Sequence, residues 1–389
     1  MDYLDRYNYF RKVYNEHEDL INITDSNLSL LNLNFKTKNN HVFYVKDKIK
    51  NRFVRKLFKR DSRIKENRAF RYPMIKHQNG KKSDSFIILL HGLNEKDWTK
   101  YFPWAFYMAE QTGRDVMLFP ISFHMNRTPS AWKDPHLMSK ISFIKKLISP
   151  QVQKDTFVNA ALSLRLQLHP QRFFLSGIET IFNLLDLFKQ IDENKHPYIA
   201  PGARYDLFAY SIGAFLTEIL LMSDPEKRFS NCHAMLFCGG ANYDRMHGVS
   251  KFIMDSEANN AITNFFLNNL DKELKKDRRL RKLINDTETG FYFKSLINSN
   301  KMVEERENRL KEISNRMAAV GLQKDSVMPA EACRLSLQGD KSDIPIQFLT
   351  LDFPFSYSHE NPFPASEKIR SEVDSSFREV FDKASNFLQ

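Results

Sequence analysis

The chain has 389 residues, of which 42% are hydrophobic and 27% charged, enough to bury a large core in one or two domains. Its formal net charge of +11 favours anionic partners such as phosphates or a membrane surface, although ordinary soluble proteins often carry such a charge. Three cysteines are too few for a disulfide framework. Neither a signal peptide nor a membrane-spanning apolar run is evident, so we expect a cytoplasmic protein.

Residues 1–80 are predicted to form an N-terminal extension and the first strands, and the clearest strand pattern covers residues 66–76. The stretch 46–65 carries ten Lys and Arg against two acids, and its apolar residues recur at helical spacing. Two interpretations stay open for it. It is either a basic amphipathic helix that binds an anionic membrane or phosphates, or a helix packed on its own domain with a solvated basic face.

From residue 81 onwards, buried strands alternate with amphipathic helices. Apolar runs that end in turn residues predict strands at 85–94, 115–119, 207–210, 234–238, 317–322 and 346–351. Helical patterns cover 97–112, 136–175, 176–191, 330–337 and 365–388. Ser176 is the expected N-cap of the third helix, because Glu179 follows it three residues later. This alternation predicts a mostly parallel central sheet with helices on both faces.

Residues 241–314 interrupt the alternation. They are charged and helical in pattern, with a strongly basic stretch at 272–282 and no strand signal. We therefore predict an inserted helical cap. It would divide the core into a first part, residues 81–240, and a last part, residues 315–389.

A sharp turn at Ser211 carries the most specific signal. The apolar run 207–210 stops there, and Ala209 and Gly213 are small, as a close approach of strand and helix requires. Such a turn exposes the serine hydroxyl and places the N–H of Ile212 at a helix N-terminus, where an oxyanion can bind. Because short motifs of this kind also arise by chance, the serine needs partners elsewhere in the chain.

A serine hydroxyl becomes nucleophilic when a base accepts its proton and a third group orients that base. In a parallel sheet such groups should follow the carboxyl ends of strands. Asp325 and His359 both follow predicted strands, and they come after the serine in that order. Asp340, Asp343 and Asp352 are alternative acids, but Asp325 directly follows a strand.

These motifs together resemble those of the α/β-hydrolase superfamily over residues 70–389, in particular an uncharacterised bacterial branch. The resemblance is carried by His91-Gly92 after a strand, the turn 209–213, Asp325-Ser-Val-Met-Pro329, and His359 before the terminal helix. Neighbouring segments that share it are His91-Gly-Leu-Asn94, His124-Met-Asn-Arg127 and Phe353-Pro-Phe355. It implies an α/β fold with a mostly parallel sheet flanked by helices.

The resemblance also implies roles for individual residues. Ser211 would be the nucleophile, His359 the general base and Asp325 the group that orients the imidazole. The backbone N–H groups of Leu93 and Ile212 would form the oxyanion hole. Residues near these loops that we expect to bind substrate are Asn94, His124, Asn126, Arg127, Trp132 and Tyr210. An arginine at the rim could pair with a carboxylate or phosphate, or the loop could be held by its own hydrogen bonds.

The sequence thus predicts a serine hydrolase that cleaves an ester or thioester of a small-molecule or lipid acyl substrate. The 33 phenylalanines and the basic segments favour a lipid-like substrate and an anionic membrane surface as partner. The alternative is a non-catalytic protein that binds a ligand or partner on the same scaffold. We expect no nucleic acid, because only charge supports it, and no cofactor or metal. The oligomeric state is open.

Overall fold

The computed structural model describes residues 1–37, 52–58 and 61–389. Within them, nine strands form one sheet: β1 Leu20–Asn22, β2 Leu28–Lys36, β3 Ala69–His77, β4 Ser83–Leu90, β5 Asp115–Leu118, β6 Ile199–Tyr210, β7 Ala234–Phe237, β8 Met317–Leu322 and β9 Gln347–Leu351. Their order across the sheet is β1-β2-β3-β5-β4-β6-β7-β8-β9. The six strands β4 to β9 run parallel, while β1 to β3 pair in antiparallel fashion. The predicted fold class is confirmed.

The sheet is covered on both faces because its central strands are apolar on both sides. In β4, Phe86, Ile88 and Leu90 pack into one hydrophobic cluster, whereas Ile87 and Leu89 pack into the other. All five side chains are fully buried. This continuous burial is what a strand in the middle of a parallel sheet requires.

Helices make up the two outer layers. The described helices are α1 Tyr3–Val13, α2 Arg52–Leu57, α3 Tyr101–Thr112, α4 Pro135–Ile148, α5 Ala160–Leu168, α6 Arg172–Asp192, α7 Ile212–Ser223, α8 Ser256–Thr263, α9 Leu270–Lys276, α10 Arg278–Asn285, α11 Glu288–Ile297, α12 Val303–Ile313, α13 Ala330–Gln338 and α14 Arg370–Phe387. Helices α1, α3 and α14 contribute to one cluster, and α6, α7 and α11 to the other. The site lies at the carboxyl ends of the parallel strands between them.

The N-terminal region held more structure than its sequence pattern indicated. The predicted strand at 66–76 corresponds to β3, but neither α1 nor the positions of β1 and β2 were predicted. Helix α1 is fixed to the far end of the chain, because the N–H of Tyr3 donates to Asp374 (2.8 Å) and its hydroxyl donates to the backbone oxygen of Phe363 (2.9 Å).

The basic stretch 46–65 is described only in part, since residues 46–51, 59 and 60 lie outside the described residues. In the described part, Val54 and Phe58 are buried, and the Phe58 ring stacks on Trp132 at 5.5 Å. The burial of these two side chains agrees with the interpretation that the helix packs on its own domain.

The predicted start of the helix at Ser176 was wrong. Helix α6 begins at Arg172, and the Ser176 hydroxyl donates back to the Phe173 carbonyl (3.2 Å), as it does inside a helix. The Glu179 carboxylate accepts from Asn67 instead of capping the helix (2.6 Å). The capping pattern misled because the helix already starts one turn earlier.

Residues 241–314 contain α8 to α12, as the charged helical pattern predicts. The Asp255 side chain caps α8 and forms an ion pair with Lys145 of α4. The N–H of Asp255 donates to the hydroxyl of Ser163 in α5 (3.0 Å). The helical segment is thus joined to α4 and α5. Its role as a cap stays a prediction.

A buried ion pair fixes the centre of the sheet. Arg114 donates to Asp206 (2.6 Å) and to the Phe86 carbonyl (2.9 Å), and Asp206 also accepts from the N–H of His233 (2.7 Å). Both charged side chains are almost completely buried. Burial lowers the pKa of Arg114, which nonetheless stays charged near neutral pH.

Removing the acid from this pair should be costly. We expect Asp206→Ala to lower the free energy of unfolding by about 3–5 kcal/mol in urea titrations, because it leaves a buried guanidinium unpaired. The control is Asp192→Ala, which breaks the partly exposed pair with Arg228 and should cost less than about 1 kcal/mol. Equal losses for both variants would contradict the expectation.

Candidate active site

The turn between β6 and α7 holds Ser211 in a conformation that few non-glycine residues adopt, with φ 58° and ψ −121°. Such a backbone costs of order 1–3 kcal/mol and persists only where its surroundings fix it. The surroundings are tight. A Cβ on Gly213 would lie 2.6 Å from the Leu90 carbonyl oxygen, and one on Gly239 would lie 2.4 Å from the Ala214 methyl. The predicted need for a small residue at position 213 is confirmed.

Ser211, His359 and Asp325 form one chain of hydrogen bonds. The Ser211 hydroxyl lies 2.7 Å from Nε2 of His359, whose Nδ1 lies 2.7 Å from Oδ2 of Asp325. The other carboxylate oxygen accepts from the N–H groups of Val327 (2.9 Å) and Met328 (2.8 Å). Since the carboxylate can only accept, Nδ1 carries the proton and Nε2 is free to accept from the serine.

The alternative acids do not reach this histidine. Asp340 pairs with Arg245, Asp343 with Lys311 and Asp352 with Lys324. These three carboxylates are exposed to solvent, whereas the side chain of Asp325 is completely buried. Among the four acids considered, only Asp325 meets His359.

A second group of residues supports the histidine loop from behind. The Tyr210 ring stacks on the imidazole of His359 at 5.4 Å, and its hydroxyl donates to the backbone oxygen of the same residue. Lys100 lies 4.7 Å from the Tyr210 ring, donates to the Glu360 carbonyl (3.0 Å) and pairs with Glu95. The predicted contact of Tyr210 with substrate was therefore wrong, because this side chain is buried beneath the base. Glu95 and Lys100 were not predicted to belong to the site.

The turn after β4 is fixed by His91, which is fully buried. Its Nδ1 donates to the Gly92 carbonyl (2.8 Å) and its Nε2 accepts the N–H of Ile121 (2.9 Å). The N–H of Gly92 donates to the Tyr101 hydroxyl (2.9 Å). Burial holds the pKa of His91 well below its usual range, so the ring stays neutral. This network holds the backbone just before Leu93 in place.

Two neighbouring recesses lie beside the serine turn. The nearer one, which we call the serine pocket, is bordered by Ser211 itself. The second, which we call the apolar recess, is strongly apolar and extends between α6, α7 and α11. Leu93, Phe173 and Ile212 line both, so the two predicted oxyanion-hole residues lie where the recesses meet. The walls of the second recess include Phe174, Ile178, Ile181, Phe215, Leu216 and Phe293.

His124 lines both the apolar recess and a third one, which we call the polar recess because most of its lining residues are polar or charged. Its Nδ1 donates to the Ser122 carbonyl (3.0 Å), while its buried Nε2 has no hydrogen-bond partner among the described residues. Burial lowers the pKa of His124 to about 4, so Nε2 is a vacant acceptor near pH 7. Lys96, Lys133 and Arg165 line the polar recess. The position of His124 agrees with its predicted contact with substrate, which stays a prediction.

The profile of a family of unknown function, DUF6051, matches residues 1–389. The chain belongs to this family. No match was found among curated proteins.

Several solved structures are similar to this DUF6051 protein in backbone. An esterase from an Arctic intertidal metagenomic library shares 10% identity over 97% of this chain and 100% of its own, with a TM-score of 0.42. Carboxyl esterase 2 of the fungus Tuber melanosporum shares 9% over 82% and 81%, with a TM-score of 0.45. An esterase of the archaeon Pyrobaculum calidifontis shares 11% over 82% and 80%, with a TM-score of 0.42. At such identities we infer nothing about the reaction from them.

In the DUF6051 protein, the three candidate catalytic side chains follow β6, β8 and β9 in the order serine, acid, histidine. A strained serine turn after a central parallel strand and this order define the α/β-hydrolase arrangement. The chain has the α/β-hydrolase fold. Among the described residues, no group of three His, Cys, Asp or Glu side chains is placed to hold a metal ion.

The prediction that Arg127 reaches the rim was wrong. Its guanidinium is fully buried and donates to the side chains of Asn67 (3.0 Å) and Asn183 (2.7 Å). The neighbouring Asn126 donates to the Arg71 carbonyl (2.9 Å). The loop is thus held by its own hydrogen bonds, which was the alternative interpretation, and neither side chain is available to bind an anion.

Two other predicted contacts lie at the edge of the site. Trp132 is buried against Phe58, and one side of it lines the polar recess. Asn94 follows the Leu93 turn and donates to the carbonyls of Val158 (3.2 Å) and Phe252 (2.6 Å). It therefore joins two covering segments to the turn. Contact of Trp132 and Asn94 with a substrate stays a prediction.

The serine turn should not tolerate a larger residue. We expect Gly213→Ala to lower the free energy of unfolding by about 1–3 kcal/mol, because the new methyl group meets the backbone of β4. The control is Gly177→Ala in α6, where the nearest atom is 3.8 Å away and alanine favours the helix. Thermal unfolding of both variants tests this, and an unchanged Gly213→Ala protein would contradict it.

Proposed function

We propose that this protein is a serine hydrolase that cleaves a carboxylic ester or thioester through an acyl-enzyme. The observation that carries the proposal is the continuous chain from Ser211 through His359 to Asp325, with 2.7 Å at each step. The strained backbone of the serine adds support, because such strain clusters at functional sites, active sites among them. Ser211 also borders the serine pocket, where a substrate would meet its hydroxyl.

In the proposed reaction, Ser211 attacks the acyl carbon while His359 takes its proton. The imidazolium is stabilised by Asp325 and then gives the proton to the leaving group, which breaks the ester or thioester bond. A water molecule, activated by the same histidine, hydrolyses the acyl-enzyme and releases the acid. The backbone N–H groups of Leu93 and Ile212 would bind the oxyanion, and one such donor is typically worth about 10²–10³ in rate.

The apolar recess between α6, α7 and α11 supports an acyl chain as the group transferred to the serine. It is lined by aromatic and aliphatic side chains and adjoins the serine pocket. We further propose that residues 241–314 act as a cap over a core formed by 81–240 and 315–389. Met246, Ile253 and Met254 of this segment line the serine pocket opposite Val327.

Loss of the nucleophile should abolish activity without unfolding the protein. We expect Ser211→Ala to reduce hydrolysis of a p-nitrophenyl ester by about 10⁴-fold or more and to remove labelling by a fluorophosphonate. Asp325→Asn should reduce the rate by about 10⁴-fold while leaving some labelling. Ser176→Ala removes a serine from the recess wall and should leave labelling intact. A wild-type protein that folds but takes no label at Ser211 would refute the proposal.

Gly177 offers a test of where the acyl chain lies. A Cβ at this position would be in van der Waals contact with Leu216 at 3.8 Å, and both residues line the apolar recess, so a larger side chain would occupy part of it. We expect Gly177→Leu to lower kcat/KM for a decanoyl ester at least tenfold and to leave an acetyl ester within about threefold, since a few buried methylenes are worth this much. Gly177→Ala is the matched control. Equal losses on both esters would place the acyl chain elsewhere.

A further inference from the structure

The exposed phenylalanines are unevenly distributed over the surface. Among the phenylalanines whose side chains the structure describes, the exposed ones are Phe143 (63%), Phe157 (47%) and Phe252 (56%). Leu147 (66%) and Ile148 (77%) of α4 are exposed as well. We call these five residues the apolar face. Large exposed apolar groups that lie together commonly mark an interaction site.

The segments that carry the apolar face adjoin one another and the candidate active site. The Thr156 hydroxyl donates to the Lys251 carbonyl (2.7 Å), beside Phe157 and Phe252. Ser142 of α4 hydrogen-bonds Asp155, which brings the helix against the same loop. Asn94 donates to the backbone of both loops, and Ser250 bonds Glu360, the residue after His359. The apolar face therefore borders the segments that line the serine pocket, such as Ile253 and Met254.

Within residues 135–168 and 246–255, the exposed charged side chains are all lysines. Lys140, Lys146, Lys154 and Lys251 are exposed within the same segments. The acids in residues 135–168 and 246–255 are Asp155 and Asp255, and both are buried. An anionic partner would therefore meet exposed ammonium groups and no exposed carboxylate from these two segments.

A second basic surface, on helices α9 and α10, lacks exposed apolar side chains comparable to those of the apolar face. Helices α9 and α10 carry many exposed cations, but their apolar residues Leu274, Leu280 and Ile284 are buried inside the protein. That surface offers charge alone. Apolar and aromatic side chains together with lysines are what binds a protein in the interface of an anionic lipid bilayer.

We propose that the apolar face with its four lysines docks the protein on an anionic lipid surface. Phe143, Leu147 and the two loop phenylalanines would enter the headgroup region while the lysines contact lipid phosphates. If the proposed esterase activity also holds, docking places the serine pocket next to the bilayer and makes a membrane lipid or a membrane-dissolved acyl ester the substrate. No helix in the described part of the chain is long and apolar enough to cross a bilayer.

Binding can be tested without catalysis by using the full-length Ser211→Ala protein in co-sedimentation with vesicles. We expect it to bind vesicles of phosphatidylcholine with 30% phosphatidylglycerol at least tenfold more strongly than pure phosphatidylcholine. Phe143→Ser with Leu147→Ser should reduce this binding at least tenfold, as should Lys140→Glu with Lys146→Glu. Phe252→Ser should reduce it severalfold. Because hydrolysis is not measured, this outcome is independent of the proposed reaction.

Matched controls change equivalent residues elsewhere on the surface. Val303→Ser removes an exposed apolar side chain outside the face, and Lys275→Glu with Lys282→Glu reverses charges on α9 and α10. We expect both to bind as the parent does, and all variants to unfold at the parent's temperature. The proposal is overturned by the absence of vesicle binding, by equal losses in the controls, or by a dimer that the face variants dissociate in the absence of lipid.

Discussion

The close contact of three backbones around Ser211 is the constraint on which the site depends. Strand β4 presses on Gly213 from one side, and Gly239 after β7 presses on Ala214 from the other. Between them the serine backbone has no room to relax from its left-handed conformation. The packing of the sheet therefore maintains the strain at the serine. The hydroxyl points towards His359 because the core beneath it is rigid.

Much of this arrangement could be predicted because the signals are local and one topological rule connects them. Apolar runs located the parallel strands to within a few residues, since a strand buried on both faces has nearly all apolar side chains. The exception is β6, which begins at Ile199 and not at 207, because its first half is largely exposed and lacks an apolar run. Residues that follow such strands meet at one edge of the sheet. That rule predicted that Ser211, Asp325 and His359 lie close together, although 148 residues separate the serine from its histidine. The small residue at 213 was predictable for the same local reason.

What could not be predicted depends on partners distant in the chain. Arg127 lies beside the predicted rim, yet Asn67 and Asn183, 60 and 56 residues away, draw its guanidinium into the core. Tyr210 adjoins the nucleophile in sequence, but the alternation of side chains along β6 turns it towards α3 and beneath His359. Contact with substrate was predicted for Arg127 from its charge and its loop, and for Tyr210 from its position beside the serine. Only the three-dimensional packing decides whether such a side chain meets the pocket or supports it.

The same distinction between side chains that hold the fold and side chains that face solvent applies to helix α4. On α4, Lys145 faces inwards to Asp255 and Ser142 to Asp155, so these contacts hold the helix in place. Phe143 and Leu147 make no comparable contribution, because their side chains are largely in water. Exposing large apolar groups favours neither the folding nor the solubility of a protein. Their presence beside the serine pocket, surrounded by lysines, is therefore better explained by what the surface binds than by how the chain folds.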